Sequence, residues 1–200
     1  MPDRIEELAR LFERFPGIGP RQAKRFVYHL LVMGASERAK MADHIARLGE
    51  SVRQCTECMR FAPGTNTVCI YCSDKNRDDS ILMIVEKDQD LAAVERANAY
   101  RGRYFVLGGA LTLSGKGVIR EQELMKAVER RSKNGLAEIV LALSATSEGE
   151  HTADHLRERL APLRAHIKLS VLGRGLATGS ELEYSDAQTL SSALLNRKET

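Results

Sequence analysis

Apolar positions follow two different rhythms along this chain, and the change between them divides it. Ile5, Leu8, Leu11, Phe12 and Phe15 recur three and four apart, which predicts an amphipathic helix over about 4–14. The pattern breaks at Phe15-Pro16-Gly17-Ile18-Gly19-Pro20. A second helix then carries Ala23, Phe26, Val27, Leu30 and Leu31 on one stripe, and a third is expected over about 37–49 with Met41, Ile45 and Leu48 inward. After Asp78-Asp79-Ser80 the rhythm changes. Ile81 to Val85 is an unbroken apolar run, as in a strand covered on both faces of a parallel sheet. A helix over about 88–100 (Leu91, Val94 and Ala97 inward) leads to a strand Tyr104–Leu107 that ends in Gly108-Gly109. A helix over about 120–132 (Leu124, Val128), a strand Ile139–Leu143, a helix over about 152–163 and a strand Ile167–Leu172 continue the alternation. The prediction is an N-terminal helical bundle followed by a doubly wound α/β domain.

Composition changes this picture little. In 200 residues, 43% hydrophobic and 28% charged positions suit one sizeable core with a smaller satellite. No run approaches the apolar length of a membrane span and the N-terminus (MPDRIEELAR) is charged, so the expectation is a soluble, cytoplasmic protein. The net charge of +3 is unevenly spread: Arg14, Arg21, Lys24 and Arg25 fall in a stretch with no acid.

All four cysteines lie between the two rhythms, written C-x2-C-x10-C-x2-C: Cys55, Cys58, Cys69 and Cys72. Each CxxC knuckle can present two thiolates from one tight turn, and together they can complete the S4 tetrahedron of a structural Zn2+ site. Disulfides and CxxC redox chemistry use the same residues. Disulfides need an oxidising compartment, and no apolar leader is present to export the chain.

The turn before the second helix suits a different ligand. Gly17 and Gly19 let the backbone bend and expose its N–H groups, Ile18 is an apolar pin between them, and Pro20 fits a first helical turn. Exposed amides ahead of a helix N-terminus form an anion site, with Arg21, Lys24 and Arg25 placed to flank a phosphate. The segment resembles the helix-hairpin-helix motif, which grips nucleic-acid backbones without reading sequence. A plain αα-corner with a solvated basic face has the same pattern.

In parallel α/β sheets function gathers at the carboxyl ends of strands. Glu86 directly follows the first strand, and Glu148 and Glu150 are expected in the loop after Ile139–Leu143, with Gly149 allowing the turn. Three convergent carboxylates suit a divalent cation such as Mg2+, and solvated loop acids suit the same spacing. Gly109 to Lys116 (GALTLSGK) fails as a phosphate-binding P-loop: five residues separate the glycines, and Gly117 stands where Ser or Thr would hold Mg2+. His151 and His155 lack the H-E-x-x-H order of a zinc pair.

A strand ending in Glu86 and a later acid-x-acid pair resemble the Toprim domain of topoisomerases and primases. Taken in order, FPGIGPRQAKRFVYHLL (15–31), the cysteine quartet, IVEKDQDLAAVE (84–95), GRYFVLGG (102–109), SEGEHTA (147–153) and ELEYSDAQTL (181–190) resemble the RecR family of bacterial recombination mediators along essentially the whole chain. The resemblance implies ring-like homo-oligomers that accommodate DNA and act with RecO and RecF to load RecA onto single-stranded DNA, without catalytic turnover. It implies DNA contacts at Arg21 and Arg25, and RecO contact with or without metal at Glu86, Glu148 and Glu150. It also implies a C-terminal segment (Gly175 to Leu190) packed on a neighbouring subunit. The divisions expected are 1–53 helix-hairpin-helix, 54–77 four-cysteine zinc finger, 78–173 Toprim and 174–200 C-terminal segment. Departures occur at Phe105 (His in the family), Thr112-Leu113 (Ser-Pro), Val171 (a basic residue) and Ala177 (Pro). A metal-dependent Toprim nuclease or primase-like enzyme is the alternative the acids leave open.

Overall fold

A computed structural model describes residues 3–115, 117–163, 165–173, 175–176 and 178–197, with the backbone alone at Gln188. Lys116 and Ala177, singled out above, lie outside the described residues. The chain forms two compact units, Met1–Val52 and Arg53–Thr200.

In the first unit, α1 (Arg4–Phe12) starts at Asp3, whose carboxylate accepts the Ile5 N–H at 2.9 Å. It packs against α2 (Pro20–Val32) through Ala9, Ala23 and Val27, with Ile5, Leu8, Phe12 and Ile18 around them. Two alanines at the crossing let the helices approach closely. Leu11 and Phe15, which share the predicted stripe, lie at its edge and are exposed. In α3 (Ala35–Arg47) the expectation fails: no residue is buried, and Met41, Ile45 and Leu48 face solvent. Periodicity marks the apolar side of a helix, not whether anything in the same chain covers it. The Arg38 guanidinium ties α3 back to α2 by donating to the Leu30 and Met33 carbonyls.

A short hairpin of β1 (Val52–Gln54) and β2 (Phe61–Pro63) carries the first cysteine knuckle of the second unit, and α4 (Ile70–Ser73) carries the second. Four parallel strands follow, β3 (Asp78–Val85), β4 (Gly102–Val106), β5 (Glu138–Ala142) and β6 (Lys168–Val171), in the order β4-β3-β5-β6. The connecting helices are α5 (Asp88–Ala97), α6 (Glu121–Ser132) and α7 (Ser147–Leu160). The apolar run of β3 splits by parity. Leu82 and Ile84 join Phe105, Leu107 and Leu141 beneath Leu124, Val128, Leu156 and Leu160 of α6 and α7. Met83 and Val85 join Tyr104 and Val106 beneath Leu91 of α5. Both faces are covered, which is why no polar residue interrupts the run. Asn98, in the left-handed region at φ 51°, stops α5 at Ala97, and that alanine is exposed rather than inward. Beyond β6 a 3-10 turn (Leu182–Tyr184) precedes α8 (Ala187–Leu195). Among the described residues no helix is long and apolar enough to cross a membrane.

The cysteine module is seated on β4, an outer strand. Val106 N–H donates to the Cys58 carbonyl at 2.8 Å, and Arg103 donates to the carbonyls of Tyr71 (2.8 Å) and Cys72 (3.1 Å). An otherwise open strand edge is thus given partners. Beside it a polar network is buried. The Arg77 guanidinium bonds Glu95 at 2.6 Å and the Gly102 carbonyl at 3.1 Å, and Tyr104 donates to the other Glu95 oxygen at 2.5 Å. Glu95→Ala leaves Arg77, only 7% exposed, with no carboxylate nearer than Asp74 at 3.9 Å. The expected loss is about 3 kcal/mol of unfolding free energy. It is read from urea titration as a lower midpoint at unchanged slope, and an unaltered midpoint would refute the network's role.

Candidate functional site

The four cysteine sulfurs all lie within 4.8 Å of one another. The Cys58 and Cys69 sulfurs, one from each knuckle, are 3.7 Å apart. Four thiolates at about 2.3 Å from a tetrahedral Zn2+ are separated by about 3.8 Å, so the spacing fits a structural site. Backbone geometry shapes each knuckle. Met59, directly after Cys58, takes the left-handed conformation at φ 61°, a strained position for a non-glycine residue. Its N–H donates to the Cys55 carbonyl at 2.9 Å, and the Cys69 N–H donates to the Cys55 sulfur at 3.3 Å. Hydrogen bonding from Cys58 and Cys72 holds the Cys69 thiol far below its ordinary range, and donation to Cys69 pushes Cys58 up. Cys55, Cys58 and Cys69 are buried and Cys72 is half-buried, so the site is closed.

In the first unit, Gly17 adopts φ +76° and Gly19 precedes α2 with no side-chain cap. That leaves the first α2 amides without a side-chain acceptor from the cap residue. Arg21 and Arg25 are exposed on the first turns, and Arg25 donates to the Gln22 side-chain oxygen at 3.4 Å. Lys24 differs. It pairs with Glu6 of α1 at 2.6 Å, which raises its pKa and offsets the charge it would offer a phosphate.

At the carboxyl edge of the sheet, the acid-x-acid pair is not in a loop. α7 begins at Ser147, capped by Thr146, so Glu148 and Glu150 occupy its first turn, where the helix dipole favours acids. Glu86 is buried, and its Oε1 accepts the Ser144 N–H at 2.7 Å. That bond joins the ends of β3 and β5 at the point where strand order reverses. Gly149 is needed for contact, not for turning: a Cβ there would lie 2.1 Å from the Ser144 carbonyl oxygen and 3.1 Å from Glu86 Oε1. Glu148 is exposed and Glu150 half-buried. Among the described residues, the cysteines are the group of three or more metal-ligating side chains drawn together, so the three glutamates do not form a ready Mg2+ shell. His155, near the middle of α7, bonds Glu121 of α6 at 2.8 Å. Neither Ser144 nor Thr152, which contact this edge, was marked by periodicity or charge, because one acts through its backbone and the other as a buried hydroxyl.

A helical hairpin, a four-cysteine module and a Toprim-like parallel sheet together define a modular protein of nucleic-acid metabolism. Family models match in the same order: RecR, helix-hairpin-helix over residues 5–48, the Toprim domain over 80–173, and RecR, C-terminal over 175–198. "Recombination protein RecR" of Ruegeria sp. (strain TM1040) is 40% identical over 197 residues, covering 98% of this chain and 96% of the relative. The proteins of the same name from Jannaschia sp. (strain CCS1) and Cutibacterium acnes are 38% and 37% identical, covering 97% and 96% of this chain and 96% and 94% of theirs. The chain belongs to the RecR family of recombination proteins.

Gly149→Ala forces α7 away from Ser144 and disturbs the Glu86 bond. The expected destabilisation is about 2 kcal/mol, measured by denaturant titration, and wild-type stability in the variant would contradict this account of the glycine.

Proposed function

We propose that the chain is a DNA-binding recombination mediator that acts with RecO and RecF to load RecA onto single-stranded DNA. In this reading it is a non-catalytic scaffold built from several copies in the cytoplasm. The observation that carries the reading is the pair of exposed arginines, Arg21 and Arg25, on the first turns of the helix after the Gly17–Gly19 hairpin. The hairpin lies in a chain similar along its length to recombination proteins. Gly17, Gly19, Arg21 and Arg25 grip phosphate, with Lys24 secondary because Glu6 holds it. Such contacts carry no base information, so binding is independent of sequence in both single- and double-stranded DNA.

The quartet Cys55, Cys58, Cys69 and Cys72 holds one structural Zn2+, as supported by the spacing and closure of its sulfurs. The functional divisions are residues 1–53, 54–77, 78–173 and 174–200. Glu148 and Glu150, accessible at the start of α7, serve RecO contact, with Glu86 behind them as their support. Mg2+ at this edge is the weaker use of the same acids, because Glu86 is engaged by a backbone amide. The same engagement favours the scaffold over a Toprim nuclease or primase-like enzyme. Assembly into a dimer or tetrameric ring draws support from bare apolar residues in both units: Met41, Ile45 and Leu48, and separately Leu194 and Leu195 of α8.

Two experiments test the reading. Replacing both Arg21 and Arg25 by alanine weakens DNA binding equally across sequences and flattens the log–log salt dependence by about 2. Loss confined to some sequences, or no loss, rejects the hairpin site. Purified protein contains about one zinc per chain, and Cys58→Ser loses both the metal and the fold of the module. Less than about half an equivalent in the wild type rejects the zinc assignment.

A further inference from the structure

Thr152 is a hydroxyl residue with no solvent exposure, lying on α7 one turn beyond Glu148. Its Oγ1 donates to the Glu148 carbonyl at 2.7 Å and accepts the N–H of Leu111 at 2.8 Å. Leu111, itself buried, lies in the loop that leaves β4. One hydroxyl therefore uses both donor and acceptor to join two segments far apart in sequence. A valine would fill the same volume and leave the Leu111 amide without its acceptor. That amide could then be satisfied only by opening the loop to water.

The consequence lies two residues further on. Leu113 stands 66% exposed in the segment that Leu111 anchors, and Glu148 is exposed on the turn whose carbonyl Thr152 holds. Fixing Leu111 to α7 fixes the loop against the turn that carries the acid. We propose that Thr152 is a positioning residue for partner binding: it locks the loop after β4 and the first turn of α7 into one composite surface. It does not touch the partner. The inference rests on the reading of Glu148 as a RecO contact.

The test compares Thr152→Val, Thr152→Ser and Glu148→Lys by titration of purified RecO and by amide exchange at Leu111. The expected result is a loss of affinity of roughly tenfold or more in T152V, restored to within about twofold in T152S, with matching loss and recovery of Leu111 protection. If E148K abolishes binding while a folded T152V binds as wild type, the positioning role is overturned and the partner reading stands. If E148K binds as wild type, the partner reading fails. Thr152 is then judged by exchange alone: lost protection in T152V upholds the lock, and unchanged protection ends it. Should T152V fail to fold, wild-type exchange decides. Leu111 exchanging together with the α7 amides supports the lock, and Leu111 exchanging independently and faster overturns it.

Discussion

The outer edge of the parallel sheet is registered from the cluster of four sulfurs. Cys55 and Cys58 come from one turn, and Cys69 and Cys72 from another. Only when those turns meet are the carbonyls of Cys58, Met59, Tyr71 and Cys72 presented as acceptors. Val106, Arg103 and Arg120 then donate to them from β4 and from the start of α6. Glu57, in the first knuckle, receives Arg130 and Arg131 from the far end of α6, at 2.5 and 3.4 Å. The module is therefore not an appendage. It supplies the missing neighbour of an outer strand, and the unit cannot keep that edge satisfied without it.

The sheet and its helices could be read from the sequence because burial on both faces leaves a strong signal. The unbroken run Ile81–Val85, the glycine pair after β4 and the alternation of periods all survive in the observed topology. Burial itself was less legible where it depended on contacts across the chain. Met41, Ile45 and Leu48 share a stripe, but nothing in a one-dimensional pattern says whether a cover exists. Ala9, among the most buried residues of the first unit, has a side chain too small to register in a hydrophobic stripe.

The candidate site was readable in its residue types and misplaced in its geometry. C-x2-C-x10-C-x2-C carries its meaning in spacing, so the sulfur cluster followed directly. The acid-x-acid pair was expected in a loop because Gly149 looks like a turn residue. In fact the glycine lies inside a helix, where the Ser144 carbonyl takes the space a Cβ would need. Glu86 illustrates the same limit. Its position after β3 was evident, but its bond to the Ser144 amide depends on how two strands distant in sequence end side by side.

The aromatic stack at the junction of module and sheet has a practical consequence. Tyr71, between Cys69 and Cys72, sits 6.1 Å from Tyr104, which is 5.0 Å from Tyr100, and the Arg60 and Arg77 guanidinium groups lie 4.6 and 4.7 Å from the Tyr71 ring centroid. The chain has no tryptophan and five tyrosines, so three of its five strongest ultraviolet chromophores stand at this one seam. Near-ultraviolet dichroism of the native protein is dominated by that asymmetric trio, which makes it an intrinsic optical gauge of whether the seam is closed.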